Sequence, residues 1–175
     1  FTGGTTVRQG TLLLAASNLL NSAGAMTLSG GVLDLGGLEQ MFGLVTLGSG
    51  TIRNGLFASS QDVEVQDGIL DAVLAGTRGL VMNGSGGLLL IKQANTFTGT
   101  MSISAGEVRL TDNERLSDAS RVVLNGGVLN LNGFTETVNR INVRSGSIIG
   151  GTLNSLGFEV ESGVVTSVFN GSGRL

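Results

Sequence analysis

The sequence predicts an all-β protein, a parallel β-helix or solenoid of about nine coils of roughly 19 residues each. Three observations support this prediction. Glycine recurs after short apolar runs at intervals of 17 to 20 residues. Apolar and polar residues alternate within those runs, which is the period of a half-buried strand. The chain also repeats itself over a longer period of 96 residues. Units this short cannot bury their own apolar side chains and must stack on their neighbours.

The 96-residue period relates two parts of the chain, residues 1–80 and 97–175. Residues 28–35 match residues 124–131, and Gly50 recurs as Gly146. We therefore expect residues 1–175 to form one solenoid domain. Both ends lie inside a repeat unit, and neither carries the polar cap that a solenoid needs. These ends predict that the chain is a fragment of a longer protein.

Alternation also assigns a buried face to each predicted strand, because successive side chains point to opposite sides of a sheet. We expect the polar neighbours of the apolar residues, such as Asp34, Asn130 and Asn142, to point outward. The residues expected to point inward are Val7, Leu12, Leu14, Met26, Leu28, Leu33, Leu35, Val45, Leu47, Val63, Val65, Met101, Ile103, Val108, Leu110, Val122, Leu124, Leu129, Leu131, Ile141, Val143, Phe158 and Val160.

Glycine-containing corners are predicted to join the strands in pairs, since glycine permits the positive φ of a sharp bend. A longer connection is expected after each second strand, for example over residues 16–22 and 112–118. β-Hairpins are the competing interpretation, because Asp67-Gly68 and Asn125-Gly126 are hairpin dipeptides. A meander of hairpins gives no reason for a constant unit length, whereas a β-helix does. The recurring corner glycines are Gly10, Gly30, Gly50, Gly68, Gly87, Gly106, Gly126, Gly146 and Gly163.

Composition excludes several classes of function. The net charge is −3 with no basic run, which argues against nucleic-acid binding. The chain has no cysteine and no histidine, so it lacks disulfides, thiolate metal sites and the commonest metal ligand and general base. We therefore expect no metal, no cofactor and no enzymatic activity. No apolar run approaches the roughly 18 residues of a membrane-spanning helix.

One segment carries a family resemblance. Residues 84–110 run from a glycine-rich corner through an apolar strand, a polar motif, a second strand, Ala105-Gly106 and a third strand. The polar motif is Ala94-Asn95-Thr96-Phe97-Thr98-Gly99. This arrangement resembles the passenger-associated transport repeat of autotransporters, with Phe97 where the family often has tyrosine. Residues 1–14 resemble the second half of another copy, and residues 116–134 are also typical of these passengers.

The resemblance implies a right-handed parallel β-helix that is secreted or displayed on the surface of a Gram-negative bacterium. It also implies an outer-membrane β-barrel translocator elsewhere in the full-length protein. The absence of cysteine agrees, because passengers cross the outer membrane unfolded. The repeat is associated with efficient secretion, and no catalytic residue of any family transfers to these positions.

The candidate interaction site is the most charged loop, which carries Asp112, Glu114, Arg115 and Asp118. The counterpart loop 96 residues earlier is nearly uncharged. A solvated surface loop is the competing interpretation. Phe97 and Phe1 occupy equivalent positions, and we expect each to be a buried plug and not a ligand platform.

Some parallel β-helices cleave polysaccharides with grooves of acidic and basic residues. Here the aspartates lie on different coils or corners, and we interpret them as turn and surface residues. The residues concerned are Asp34, Asp62, Asp67 and Asp71.

The sequence therefore predicts a structural stalk or adhesin-like virulence segment whose partner is a host cell-surface or matrix protein. The alternative is the scaffold of a toxin or enzyme passenger whose activity lies elsewhere. Uncapped ends also predict end-to-end self-association, because an open coil leaves strand edges and apolar side chains uncovered.

Overall fold

The structure, a computed structural model, describes residues 3–171, which form strands and no helix. The all-β prediction is therefore confirmed. The strands are β1 (Thr5–Val7), β2 (Thr11–Leu13), β3 (Met26–Phe42), β4 (Val45–Ser59), β5 (Val63–Val65), β6 (Gly68–Ala75), β7 (Leu80–Met82), β8 (Leu88–Ile91), β9 (Thr100–Ile103), β10 (Glu107–Leu110), β11 (Arg121–Asn130), β12 (Thr135–Ile149), β13 (Thr152–Val160), β14 (Val164–Val165) and β15 (Val168–Asn170).

Every strand pairing among residues 3–171 is parallel, so the chain is a β-solenoid and the hairpin interpretation is wrong. One register column passes through about nine coils with a mean spacing near 19 residues, as predicted. Its members are Val7, Leu28, Leu47, Val65, Met82, Ile103, Leu124, Val143 and Val160.

Stacked apolar side chains fill the interior of the solenoid. All but three of the residues predicted to point inward are buried, including Leu33 and Leu129. Phe97 is also fully buried, which confirms its role as a plug, whereas Phe1 lies outside the described residues. The three exceptions are near the two ends of the described stack. Leu12 and Phe158 are half-buried, and Val160 is exposed because its only register partner among residues 3–171 is Val143, on one side.

Two corner glycines show why this residue type recurs. Gly50 has a φ of 101° and its counterpart Gly146 has a φ of 90°. A Cβ atom added at Gly50 would lie 2.4 Å from the carbonyl oxygen of Gly31, and one at Gly146 would lie 2.5 Å from that of Gly126. Each corner therefore needs both the left-handed conformation and the absence of a side chain against the coil below.

The long connections occur at fewer places than predicted. Residues 14–25, 92–99 and 111–120 form loops without strand, but β3 and β4 continue through the corresponding part of their coils. There, residues 38–42 of β3 pair with residues 55–59 of β4 and add a further side to the coil. A coil that continues its strands in this way has no need of a loop.

Two polar residues are less exposed than alternation predicted. Asp34 is only 8% exposed, because Arg53 and Asn54 of the next coil cover its carboxylate. Asn142 is also buried, and its side-chain amide donates a hydrogen bond to Glu159 at 2.9 Å. Asn130 is half-buried. In a solenoid, the neighbouring coil lies close enough for long side chains to cover outward positions.

Candidate functional site

The charged loop, residues 111–120, connects β10 to β11 and is held by its own acidic residue Glu114. Glu114 has a φ of 50°, and its backbone N–H donates to the carbonyl oxygen of Thr135 at 3.0 Å. The Glu114 carboxylate in turn accepts hydrogen bonds from the backbone N–H and the hydroxyl of Thr137, at 3.1 and 3.0 Å. The loop is therefore fastened to the next coil.

Arg115 also makes its polar contacts within the protein. Its Nε donates to the carbonyl oxygen of Asn113 at 2.9 Å, and its Nη1 donates to that of Lys92 at 3.0 Å. Its Nη2 lies 3.7 Å from the carboxylate of Asp112. The Arg115 side chain is only 19% exposed, whereas that of Asp112 is 62% exposed. Arg115 therefore organises the loop, and Asp112 presents its charge to solvent.

A buried carboxyl group that the sequence interpretation missed lies beneath the loop. Glu136 of β12 is fully buried, and its carboxyl oxygens accept the backbone N–H groups of Arg115 at 2.8 Å and Leu116 at 3.1 Å. Burial raises its pKa to about 8, and the nearby Glu114 charge acts in the same direction, while backbone hydrogen bonds from Arg115, Leu116 and Thr137 oppose the shift. The alternation of the strand could have predicted that Glu136 points inward, because it lies two positions before the inward Val138.

The counterpart loop, residues 14–25, is built on the same hydrogen bonds 96 residues earlier. Asn18 has a φ of 51° and its side chain accepts the N–H of Met41 at 3.0 Å, as Glu114 accepts that of Thr137. Gln40 is buried at the position of Glu136, and its Oε1 accepts the N–H of Leu20 at 3.0 Å. The loop scaffold is thus repeated, while the charges of the second loop are not.

Asp118, the remaining candidate residue, is exposed beside a shallow groove of about 480 Å³. No side-chain hydrogen bond or ion pair of Asp118 occurs within residues 3–171. A smaller groove of about 170 Å³ lies beside the counterpart loop. The residues lining the larger groove are Asp118, Thr137, Val138, Asn154, Ser155, Leu156, Asn170 and Gly171.

Asp34 and Asp71 belong to a column of alternating charge on successive coils. Arg53 pairs in register with both aspartates, and its Nε donates to Asp34 at 2.9 Å. Asp71 accepts a hydrogen bond from Lys92 at 2.8 Å. A backbone hydrogen bond from Gly36 is the main cause that lowers the pKa of Asp34. Burial raises the pKa of Asp71, but hydrogen bonds from Lys92 and Gln93 outweigh this effect, so its pKa is lowered overall.

Asp62 and Asp67, the other two aspartates considered for sugar cleavage, accept backbone hydrogen bonds. The N–H of Gly79 donates to Asp62 at 2.8 Å, and that of Leu88 donates to Asp67 at 3.0 Å. The structure brings Asp34 and Asp71 into one column, with Arg53 between them, but it leaves Asp62 and Asp67 at separate corners. All four carboxylates therefore have a structural partner.

Within residues 3–171, no group of three or more histidine, cysteine, aspartate or glutamate side chains could hold a metal ion. The same part of the chain contains no helix long and apolar enough to cross a membrane.

Comparison with protein-family models, with curated proteins and with solved structures finds no match to this chain. The assignment of the fold as a parallel β-solenoid therefore rests on the geometry of the chain. The autotransporter resemblance of residues 84–110 stays a prediction.

Proposed function

We propose that this chain is a structural β-solenoid segment of an autotransporter passenger, secreted or displayed on a Gram-negative cell surface. It serves as a stalk that presents the charged loop to a host cell-surface or matrix protein. In the full-length protein, an outer-membrane β-barrel of the same chain exports it. Nucleic acid is not a partner, because the net charge is −3 and no basic cluster occurs in the sequence.

One observation carries the proposed interaction role. The charged loop and the counterpart loop share three equivalent hydrogen bonds to the next coil, yet only the former carries Asp112, Glu114, Arg115 and Asp118. Charge is therefore not needed to build such a loop. The larger groove beside the charged loop has a mainly apolar lining with Asp118 at its edge. Long-range charge increases the rate at which partners meet.

We further propose that this segment has no catalytic activity of its own. The four aspartates that could serve a sugar-cleaving site each have a structural partner. The chain also lacks histidine, cysteine and tyrosine, which supply most bases and nucleophiles. A panel of glycan substrates tests this point, and turnover that is abolished by Asp71→Asn would overturn it.

The chain supplies its own control for the binding experiment. A loop-exchange variant gives the charged loop the residue types found at positions 16, 18, 19 and 22 of the counterpart loop. Its substitutions are Asp112→Ala, Glu114→Asn, Arg115→Leu and Asp118→Ser. A reciprocal variant places the four charged residues in the counterpart loop. Both are compared with the unmodified chain for binding to matrix proteins and to mammalian cells.

We expect the loop-exchange variant to lose binding and to keep the circular dichroism spectrum of the unmodified chain. The reciprocal variant is expected to bind through both loops. Equal binding by the unmodified chain and the loop-exchange variant would place the interface elsewhere. Absence of binding by the unmodified chain would remove the interaction role and leave a scaffold alone.

A further inference from the structure

The carboxyl group of Glu136 lies at the one place where β12 supports the charged loop from inside. It is fully buried and takes part in no ion pair among residues 3–171. Its two oxygens accept the backbone N–H groups of Arg115 and Leu116, which form the middle of the loop. A buried carboxylate without a cation is costly, because the charge loses its water. Protonation or opening of the loop to water relieves that cost.

In the earlier copy of the repeat, the position equivalent to Glu136 holds a neutral side chain, Gln40. Gln40 accepts the N–H of Leu20 through Oε1, and its Nε2 donates to the carbonyl oxygens of Leu20 at 3.2 Å and Met41 at 2.6 Å. An ionised glutamate can only accept hydrogen bonds, whereas a protonated glutamate has one O–H to donate. Protonated Glu136 is therefore the state that resembles Gln40.

The charged groups around Glu136 do not favour its ionised form. From the loop, Glu114 adds a like charge. The Arg115 guanidinium is directed instead to Asp112 and to the carbonyl oxygens of Asn113 and Lys92. From the next coil, the register partner of Glu136 is the buried, apolar Leu153 of β13. Asp118, at the far end of the loop, is exposed.

We propose that Glu136 is a proton-controlled latch, which holds the charged loop closed when protonated and releases it when ionised. In the released state the loop separates from β12, water reaches the carboxylate, and the amides of Arg115 and Leu116 become accessible. The proton passes to solvent. The counterpart loop has no such response, since Gln40 does not titrate.

Burial raises the pKa of Glu136 to about 8, which places the change within an accessible pH range. The chain contains no histidine, cysteine or tyrosine. Histidine and cysteine, the side chains that ordinarily titrate between about pH 6 and 9, are therefore absent. A pH response of the loop in this range is assigned to one side chain without interference from others.

Hydrogen exchange of the Arg115 and Leu116 amides tests the latch, with each rate divided by the intrinsic rate at the same pH. We expect protection in the unmodified chain to fall by up to about tenfold per pH unit between about pH 4.5 and 8, because Glu136 ionises near its ordinary pKa in the released loop but keeps its proton up to about pH 8 in the closed loop. Glu136→Gln is expected to keep constant protection over that range. Gln40→Glu is the reciprocal variant, and it should transfer a pH-dependent loss of protection to Leu20.

A carbon-detected NMR titration of the Glu136 carboxyl group supplies a measurement that needs no variant. We expect it to titrate far above the ordinary glutamate range. A pKa near 4.5, or the same loss of protection in the unmodified chain and in Glu136→Gln, would overturn the proposal. Loop order is measured without any partner, so either result is distinguishable from a failure of the loop to bind host proteins.

Discussion

At the level of single residues, the solenoid is held together by apolar side chains at matching positions of successive coils. Leu129 pairs in register with Val108 on one side and Ile148 on the other, and all three are fully buried. Its polar neighbour Asn130 is half-buried and donates a hydrogen bond to Glu107. The two neighbours therefore differ in environment while sharing the same strand.

Leu129→Ala is expected to lower the free energy of unfolding by about 2–5 kcal/mol, because it empties a packed site. Asn130→Ala is the matched control and should cost roughly 1 kcal/mol, the value of a typical partly exposed hydrogen bond. Urea denaturation followed by circular dichroism measures both. Equal losses would show that the assignment of inward and outward faces is wrong.

Gly146→Ala is expected to be more costly than the same change at Gly133. Both glycines have positive φ, 90° and 87° respectively. A Cβ at Gly146 meets the carbonyl oxygens of Gly126 and Gly127 at 2.5 Å, whereas a Cβ at Gly133 meets nothing within 4 Å. We expect about 1–2 kcal/mol at Gly133 from conformational strain alone, and more at Gly146. Equal thermal denaturation midpoints for the two variants would contradict this.

Alternation in the sequence was sufficient to predict the buried face at Leu129, because strand geometry fixes that face locally. It could not predict the burial of Asp34, since the covering side chains of Arg53 and Asn54 belong to the next coil. That contact depends on the vertical register between coils. The spacing of the glycines constrains this register only to within a residue or two.

At the level of structural elements, the charged loop shows which features could be predicted from the sequence repeat and which could not. The sequence indicated that residues 112–118 form a connection, and their charge made them the candidate site. It did not reveal that Glu114 and Arg115 are used within the protein, because their partners Thr137 and Lys92 are each 23 residues away. Glu136 was missed for the same reason, since its role appears only when the loop folds over it.

Stability is predicted to be greatest near pH 4–5. Asp34, Asp71 and Glu107 have lowered pKa values, so their contribution is present above their unfolded pKa and is lost as pH falls. The raised pKa of Glu136 affects stability in the opposite direction. Its pKa rises from 4.5 to about 8 on folding, so the unfolded chain releases this proton first. Stability therefore falls as pH rises from about 4.5 to 8, by at most about 5 kcal/mol.

Urea denaturation at pH values from 3 to 9 measures this profile. Glu136→Gln serves as the control, and it should remove the decline above pH 5 while leaving the acid limb unchanged. A stability plateau between pH 5 and 8 in the unmodified chain would contradict the predicted effect of Glu136.

At the level of the whole molecule, the last described coil exposes apolar side chains whose equivalents are buried elsewhere. Val160 is 45% exposed, whereas the preceding members of its column, Leu124 and Val143, are fully buried. Phe158 is half-buried and packs on Phe169, with 4.1 Å between ring centroids. Among residues 3–171, this face therefore combines an unpaired strand edge with an apolar surface.

We expect the 175-residue chain to associate end to end as its concentration rises. Val160→Glu should weaken this association, because it places a charge in the apolar face. Glu64→Ala, which removes an exposed side chain from a central coil, should leave it unchanged. Light scattering against concentration measures the effect. A monomer mass at millimolar concentration would refute the prediction.

The display of the charged loop depends on the stacking of about nine parallel coils along one axis. Exposed residues Thr6, Glu64 and Glu159 lie in a single register column, separated by three and five coil steps. The chain has no cysteine, so cysteines introduced in pairs at these positions carry spin labels without background.

Electron–electron distance measurement on the three labelled pairs tests the stack directly. At about 4.8 Å per step, we expect backbone separations of about 14 Å for Thr6–Glu64, 24 Å for Glu64–Glu159 and 38 Å for Thr6–Glu159. The longest distance should equal the sum of the other two, within the length of the labels. A Thr6–Glu159 distance shorter than the Glu64–Glu159 distance would show that the coils do not stack along one axis.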